Sequence, residues 1–168
     1  GRMLTLCSVM WFFLLAGLPG WAQGTQPKAA DREPAHVLVL LSYHHGHSWE
    51  DDILHGLEAW DGAPAERPIL HVEWMDTKRY TSAEYRARYQ GFLEEKYADR
   101  RFDLIATVDD IALEHAVNAA PWRDIPIVFS GVNGNPSTLI GNRGRATGIA
   151  ERFNVGKTLR MALSLHPH

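Results

Sequence analysis

The chain has 168 residues, 45% of them hydrophobic and 22% charged, with a formal net charge of −3. That length supports one compact domain. A mildly acidic balance without a Lys/Arg run argues against nucleic acid or an anionic lipid surface as partner, so a small solute is the more natural ligand.

Residues 1–22 have the three parts of a secretory signal peptide. Arg2 is the basic start, Leu4 to Leu18 is almost wholly apolar, and Gly20-Trp21-Ala22 places small residues before a cut ahead of Gln23. The alternative is an uncleaved anchor, since the run from Met3 to Leu18 is only slightly shorter than the roughly 17 residues a spanning helix needs. Either reading sends the remainder across the membrane, to a periplasmic or otherwise extracytoplasmic location. A lipoprotein is disfavoured, because no apolar stretch precedes Cys7. Cys7 is the only cysteine, so the cleaved chain has no disulfide, thiolate metal site or thiol nucleophile. Losing Arg2, the one charge of that segment, lowers the net charge from −3 to −4. Residues 23–35, polar with two prolines, read as a flexible leader, and residues 36–168 as the folded lobe.

The apolar run Val37-Leu38-Val39-Leu40-Leu41 predicts a strand buried on both faces, as in a parallel sheet. It breaks into Ser42-Tyr43-His44-His45-Gly46-His47-Ser48-Trp49. Ser48 is the expected N-cap of a first helix carrying Ile53, Leu54, Leu57 and Trp60 at helical spacing. A second strand, Ile69 to Met75, ends in Asp76-Thr77-Lys78-Arg79-Tyr80. The second helix begins near Ser82, with Tyr85, Tyr89, Phe92, Leu93 and Tyr97 on its core-facing side. Phe102 to Val108 predicts a third strand ending in Asp109-Asp110, then a helix that stops before Pro121. A fourth strand, Ile125 to Ser130, leads into Gly131-Val132-Asn133-Gly134-Asn135. A polar connection, a short fifth strand at Ala146 to Ala150, Glu151 and a last helix, Val155 to Leu165, complete the chain.

Strands alternating with helices at this spacing give right-handed βαβ units. The expected fold is therefore α/β, an open parallel sheet with helices on both faces, in the flavodoxin-like order 2-1-3-4-5. In such sheets ligands bind outside the carboxyl ends of the strands. All the polar clusters fall there, so Ser42, Tyr43, His44, Trp49, Asp76, Lys78, Arg79, Asp109, Asp110, Gly131, Asn133 and Glu151 form the expected ligand rim. Asp76 is expected to orient a basic side chain toward an anionic part of the ligand, with Tyr43 or Trp49 covering an apolar part. In the competing reading the Lys78 and Arg79 charges pair with local acids such as Asp109.

Other chemistries fit less well. His44, His45 and His47 are potential metal ligands, but adjacent residues of an extended segment point to opposite sides, so no metal or other cofactor is expected. Gly156-Lys157-Thr158 resembles the end of a phosphate-binding loop, yet Glu151 stands where that loop needs glycine. Asp109-Asp110 is similar to the acidic pocket of phospho-acceptor receiver domains, but those carry their acid pair after strand one. No Gly-x-Ser-x-Gly elbow is present for hydrolysis.

Ser42-Tyr43-His44 with Trp49, Glu73 to Tyr80, Lys96-Tyr97, Asp103-Leu104-Ile105 with Asp109-Asp110, Val128 to Asn133 and Thr147 to Glu151 together resemble the ABC-transporter substrate-binding-protein-like domain, and Met75-Asp76-Thr77-Lys78-Arg79 is the most specific piece. The resemblance covers residues 36 to 167. It implies a type I periplasmic-binding-protein fold, two α/β lobes closing on a ligand, of which this chain holds the first while the second is missing. It also implies extracytoplasmic ligand binding without enzymatic activity, and the mixed-sign rim suggests a small polar solute, amino-acid-like in character, as the ligand. The partner would be a membrane permease, as for an ABC transporter component, or the chain's own transmembrane signalling module, as in sensor histidine kinases and diguanylate cyclases. The alternative is an exported α/β hydrolytic enzyme using rim carboxylates or histidines.

Overall fold

Five parallel strands hydrogen-bond in the order β2-β1-β3-β4-β5 in the computed structural model, which describes residues 33–152 and 154–166. The expected signal peptide, Cys7 and nearly all of the leader lie outside the described residues. Among the described residues, no helix is long and apolar enough to cross a membrane.

The central strand β1 (His36–Leu41) pairs with β2 (Ile69–Trp74) on one side and β3 (Leu104–Val108) on the other. Its alternation supplies two cores. Val37, Val39 and Leu41 face α1 (Ser48–Glu58), packing with Ile53 and Leu54. Leu38 and Leu40 face the opposite layer, where Leu93 of α2 (Ala83–Lys96) and Ala112, Leu113 and Ala116 of α3 (Asp110–Asn118) complete the core. Each fully buried Leu or Val contributes roughly 1.5–3 kcal/mol, so an apolar run without polar interruption is what a strand covered on both faces requires.

On α2, Ser82 is the N-cap, accepting a hydrogen bond from the Tyr85 amide. The Tyr85 and Tyr89 hydroxyls donate to the Met75 and Trp74 carbonyls at 2.9 and 3.1 Å, fixing the helix to the end of β2. Phe92, expected on the same face, is exposed instead, because Tyr89 and Leu93 already fill the space over the sheet. Beneath the helix, Glu73 is buried and paired with Lys96 at 2.5 Å and with the Tyr97 hydroxyl.

Several boundaries differ from the sequence expectation: β2 ends one residue early, at Trp74, and β3 starts at Leu104 instead of Phe102. The N-cap of α1 is His47, not Ser48: Gly46, at φ +93°, lets the chain turn tightly, and the His47 carbonyl already accepts from the Asp51 amide. Strand β4 (Ile127–Val132) starts two residues late, after Pro126, and runs on through Gly131 and Val132, which were expected in the loop. The polar connection contains a short helix, α4 (Pro136–Ile140), capped by the Asn135 side chain. Strand β5 (Ala146–Ala150) lies at the edge. Helix α5 (Val155–Leu165) follows it, leaving Val155, Leu159, Met161, Leu163 and Leu165 exposed.

Candidate functional site

Strand order reverses at β1 and β3, so their carboxyl ends diverge into loops on either side of a crevice. Main-chain hydrogen bonds carry the sheet past the formal strand ends. The Asp76 amide donates to the Tyr43 carbonyl (2.7 Å), Thr77 to Ser42 (2.9 Å) and Asp109 to Ser130 (3.0 Å). The four loops that follow β1 to β4 are thereby held side by side.

Tyr43 bridges the crevice. Its hydroxyl donates to Asp109 Oδ2 at 2.6 Å, and its backbone N–H donates to Glu50 Oε2 at 2.9 Å. The Lys78 ammonium sits 3.8 Å from the centre of the Tyr43 ring and 3.0 Å from His47 Nε2. Trp49 lies 6.3 Å from the same ring, and its indole covers Gly131 so closely that a Cβ there would fall 2.3 Å from the indole carbons. Asp110 Oδ1 accepts from the Asn133 and Gly134 amides at 3.1 and 3.2 Å, tying the start of α3 to the loop after β4.

Asp76 and Asp109 are the two non-glycine residues with positive φ among those described, at +56° and +75°. With ψ at 168°, Asp109 occupies a region that is essentially glycine's, at a cost of about 1–3 kcal/mol. Both residues are acids at strand ends.

Burial, reinforced by the bond to Asp109, holds the Tyr43 phenol well above its ordinary pKa. Burial also raises Glu50 to about 7, against the bond from the Tyr43 amide and with the Asp109 charge adding to the rise. Glu50 is wholly buried, and its Oε1 has no hydrogen-bond partner among the described residues.

Tyr43, His44, Trp49, Asp76, Lys78, Asp109, Asp110, Gly131 and Asn133 come together at this edge. Arg79 is engaged by Asp76 through two bonds of 2.6 and 2.7 Å, so that cation pairs with Asp76 and not with Asp109. His44 Nδ1 stands 3.9 Å from the same Asp76. Ser42 lies behind the rim: it is fully buried, its hydroxyl donating to the Val108 carbonyl and accepting from the Ala112 amide. Glu151 follows β5, the strand farthest from the Tyr43 side. Among the described residues, no group of three His, Cys, Asp or Glu is placed to hold a metal ion. Two concavities, 390 Å³ beside Trp60 and Arg67 and 540 Å³ around Arg123, Arg143 and Arg145, border residues that precede β2, β4 and β5, at the opposite edge of the sheet.

Sequence reasoning missed Glu50. Its signal was hidden by a one-residue error: with His47 as N-cap, Glu50 and not Asp51 takes the third helical position, from which a carboxylate reaches back to the chain before the helix.

No family model matches the chain, and no curated protein is significantly similar to it. Solved structures are. The ligand-free, open structure of CD0873, a substrate binding protein with adhesive properties from Clostridium difficile, superposes with a TM-score of 0.55 at 18% identity, covering 78% of this chain and 43% of its own. A conserved domain protein from Vibrio cholerae gives 0.53 at 17% identity, with 80% and 44% covered. An ABC domain from Streptococcus pneumonia in complex with L-Trp gives 0.48 at 16% identity, with 70% and 38% covered. The chain thus spans less than half the length of each. Its fold is that of a periplasmic-binding-protein lobe, α/β with a five-stranded parallel sheet, as the sequence resemblance implied.

Proposed function

We propose that the chain is a ligand-binding lobe acting outside the cytoplasm, taking a small polar solute at the carboxyl edge of its sheet. It serves as the sensor domain of a membrane signalling protein or as the substrate-binding component of an ABC transporter. The observation that carries this reading is the Tyr43–Asp109 bond across the switch point, where this sheet class binds ligands. Lys78 over the Tyr43 ring and Asp109 at its hydroxyl put both charge signs at this edge, which suits a solute carrying both, such as an amino acid. The Ser42 hydroxyl is occupied by main-chain partners at both its donor and acceptor sides, so a hydrolytic role would fall to the rim carboxylates or histidines acting on water.

The test is a thermal-shift screen of the full-length protein against amino acids and other small polar metabolites, with calorimetry on each hit and NMR of the recovered compound. Saturable binding of an unaltered solute, weakened tenfold or more by Asp76→Asn and by Tyr43→Phe, is expected. A hit whose affinity neither substitution changes places binding elsewhere. A chemically altered product makes the protein an enzyme.

A further inference from the structure

Among the described residues Glu50 belongs to no ion pair, yet it is wholly buried, with one carboxyl oxygen on the Tyr43 amide and the other without a partner there. It sits in the first turn of α1, where the helix N-terminus favours a negative charge, while burial favours the neutral acid. The charged groups that act on it are Asp109 from the end of β3, opposing its charge, and Lys78 from the loop after β2, favouring it. On its own loop and helix the titratable neighbours are His47 and Asp51, the latter accepting from the Gly46 amide.

Tyr43 is therefore gripped from both ends by acids, its backbone N–H by Glu50 and its hydroxyl by Asp109. We propose that Glu50 is a positioning residue for Tyr43 and that gain or loss of its proton sets how firmly the Tyr43 loop is held at the crevice. The ionised carboxylate is the stronger acceptor for the Tyr43 N–H and adds one negative charge beside Asp109. Protonation weakens the grip and removes that charge. Resting on the ligand-binding reading, the same step makes the rim more attractive to a cationic solute group above the Glu50 pKa than below it.

The test needs no ligand, so it stands or falls apart from that reading. In ¹⁵N-labelled full-length protein, the Tyr43 amide proton should move downfield as pH rises from 5 to 9, with its midpoint near 7. Selectively ¹³C-labelled glutamate should show the Glu50 carboxyl titrating with the same midpoint. Glu50→Gln keeps an acceptor oxygen and should abolish the amide titration while Tyr43 stays protected from hydrogen exchange. An amide that titrates unchanged in Glu50→Gln would assign the effect to another group and overturn the proposal. A Glu50 carboxyl titrating near 4.5 in the wild-type protein overturns it without any variant.

Discussion

The Tyr43 hydroxyl and Asp109 Oδ2 lie 2.6 Å apart, joining the loops after β1 and β3 across 66 positions of sequence. Asp109 is only 6% exposed, so the phenol is its shield from solvent as well as its donor. Tyr43→Phe leaves the ring, the Lys78 contact and the backbone bond to Glu50 in place but removes the one hydrogen bond to a buried carboxylate. Such a loss costs about 1–3 kcal/mol. Urea unfolding should show a lower midpoint with an unchanged slope, and a midpoint equal to that of the wild type would mean that solvent replaces the phenol without cost.

Backbone strain at Asp109 separates what its carboxyl does from what its conformation costs. Asp109→Ala and Asp109→Gly both remove the partner of Tyr43, but only glycine adopts φ +75°, ψ 168° without penalty. The glycine variant should be more stable than the alanine variant by about 1–3 kcal/mol. Equal stabilities would show that the loop relaxes out of this conformation.

Gly131 tests the placement of Trp49. A methyl group there meets the indole at 2.3 Å, and the left-handed φ of +66° disfavours any side chain. Gly131→Ala should destabilise the protein by about 1–3 kcal/mol and should shift Trp49 emission to longer wavelength as the ring is pushed into solvent. Unchanged fluorescence would place the indole elsewhere.

Two buried groups give opposite pH dependences. Glu50, raised to about 7, is protonated in the folded chain and ionised in the unfolded chain between pH 4.5 and 7, so its stabilising effect is lost as pH rises through that window. His115, lowered to about 4 by burial, is neutral when folded and protonated when unfolded below pH 6.5, so stability is lost as pH falls from 6.5 toward 4. At pH 8 Glu50→Gln should gain on the order of 2 kcal/mol over the wild type, a difference that shrinks by pH 5. His115→Phe should flatten the acid side. Melting temperatures across pH 4 to 9 check both, and parallel curves for all three proteins would contradict the assignment.

The alternation of apolar runs with helical periodicity determined the fold by itself. Val37 to Leu41 has no polar residue to expose, so only a strand covered on both faces suits it, and Ser82 caps α2 because its side chain needs only the amide three residues on. The polar strand ends, and hence the edge where a site would form, follow from the same local pattern. Partner choice within that edge was decided only by the tertiary structure. Arg79 lies with Asp76, three residues away, because the φ of +56° at Asp76 folds the turn back on itself, whereas Asp109 receives the Tyr43 hydroxyl from a neighbouring strand. Glu50 reads in the sequence as one of three consecutive acids on a helix start. Its burial depends on where Gly46, four residues earlier, turns the chain and on what β3 brings beside it, and that second contribution comes from about 60 positions away in sequence.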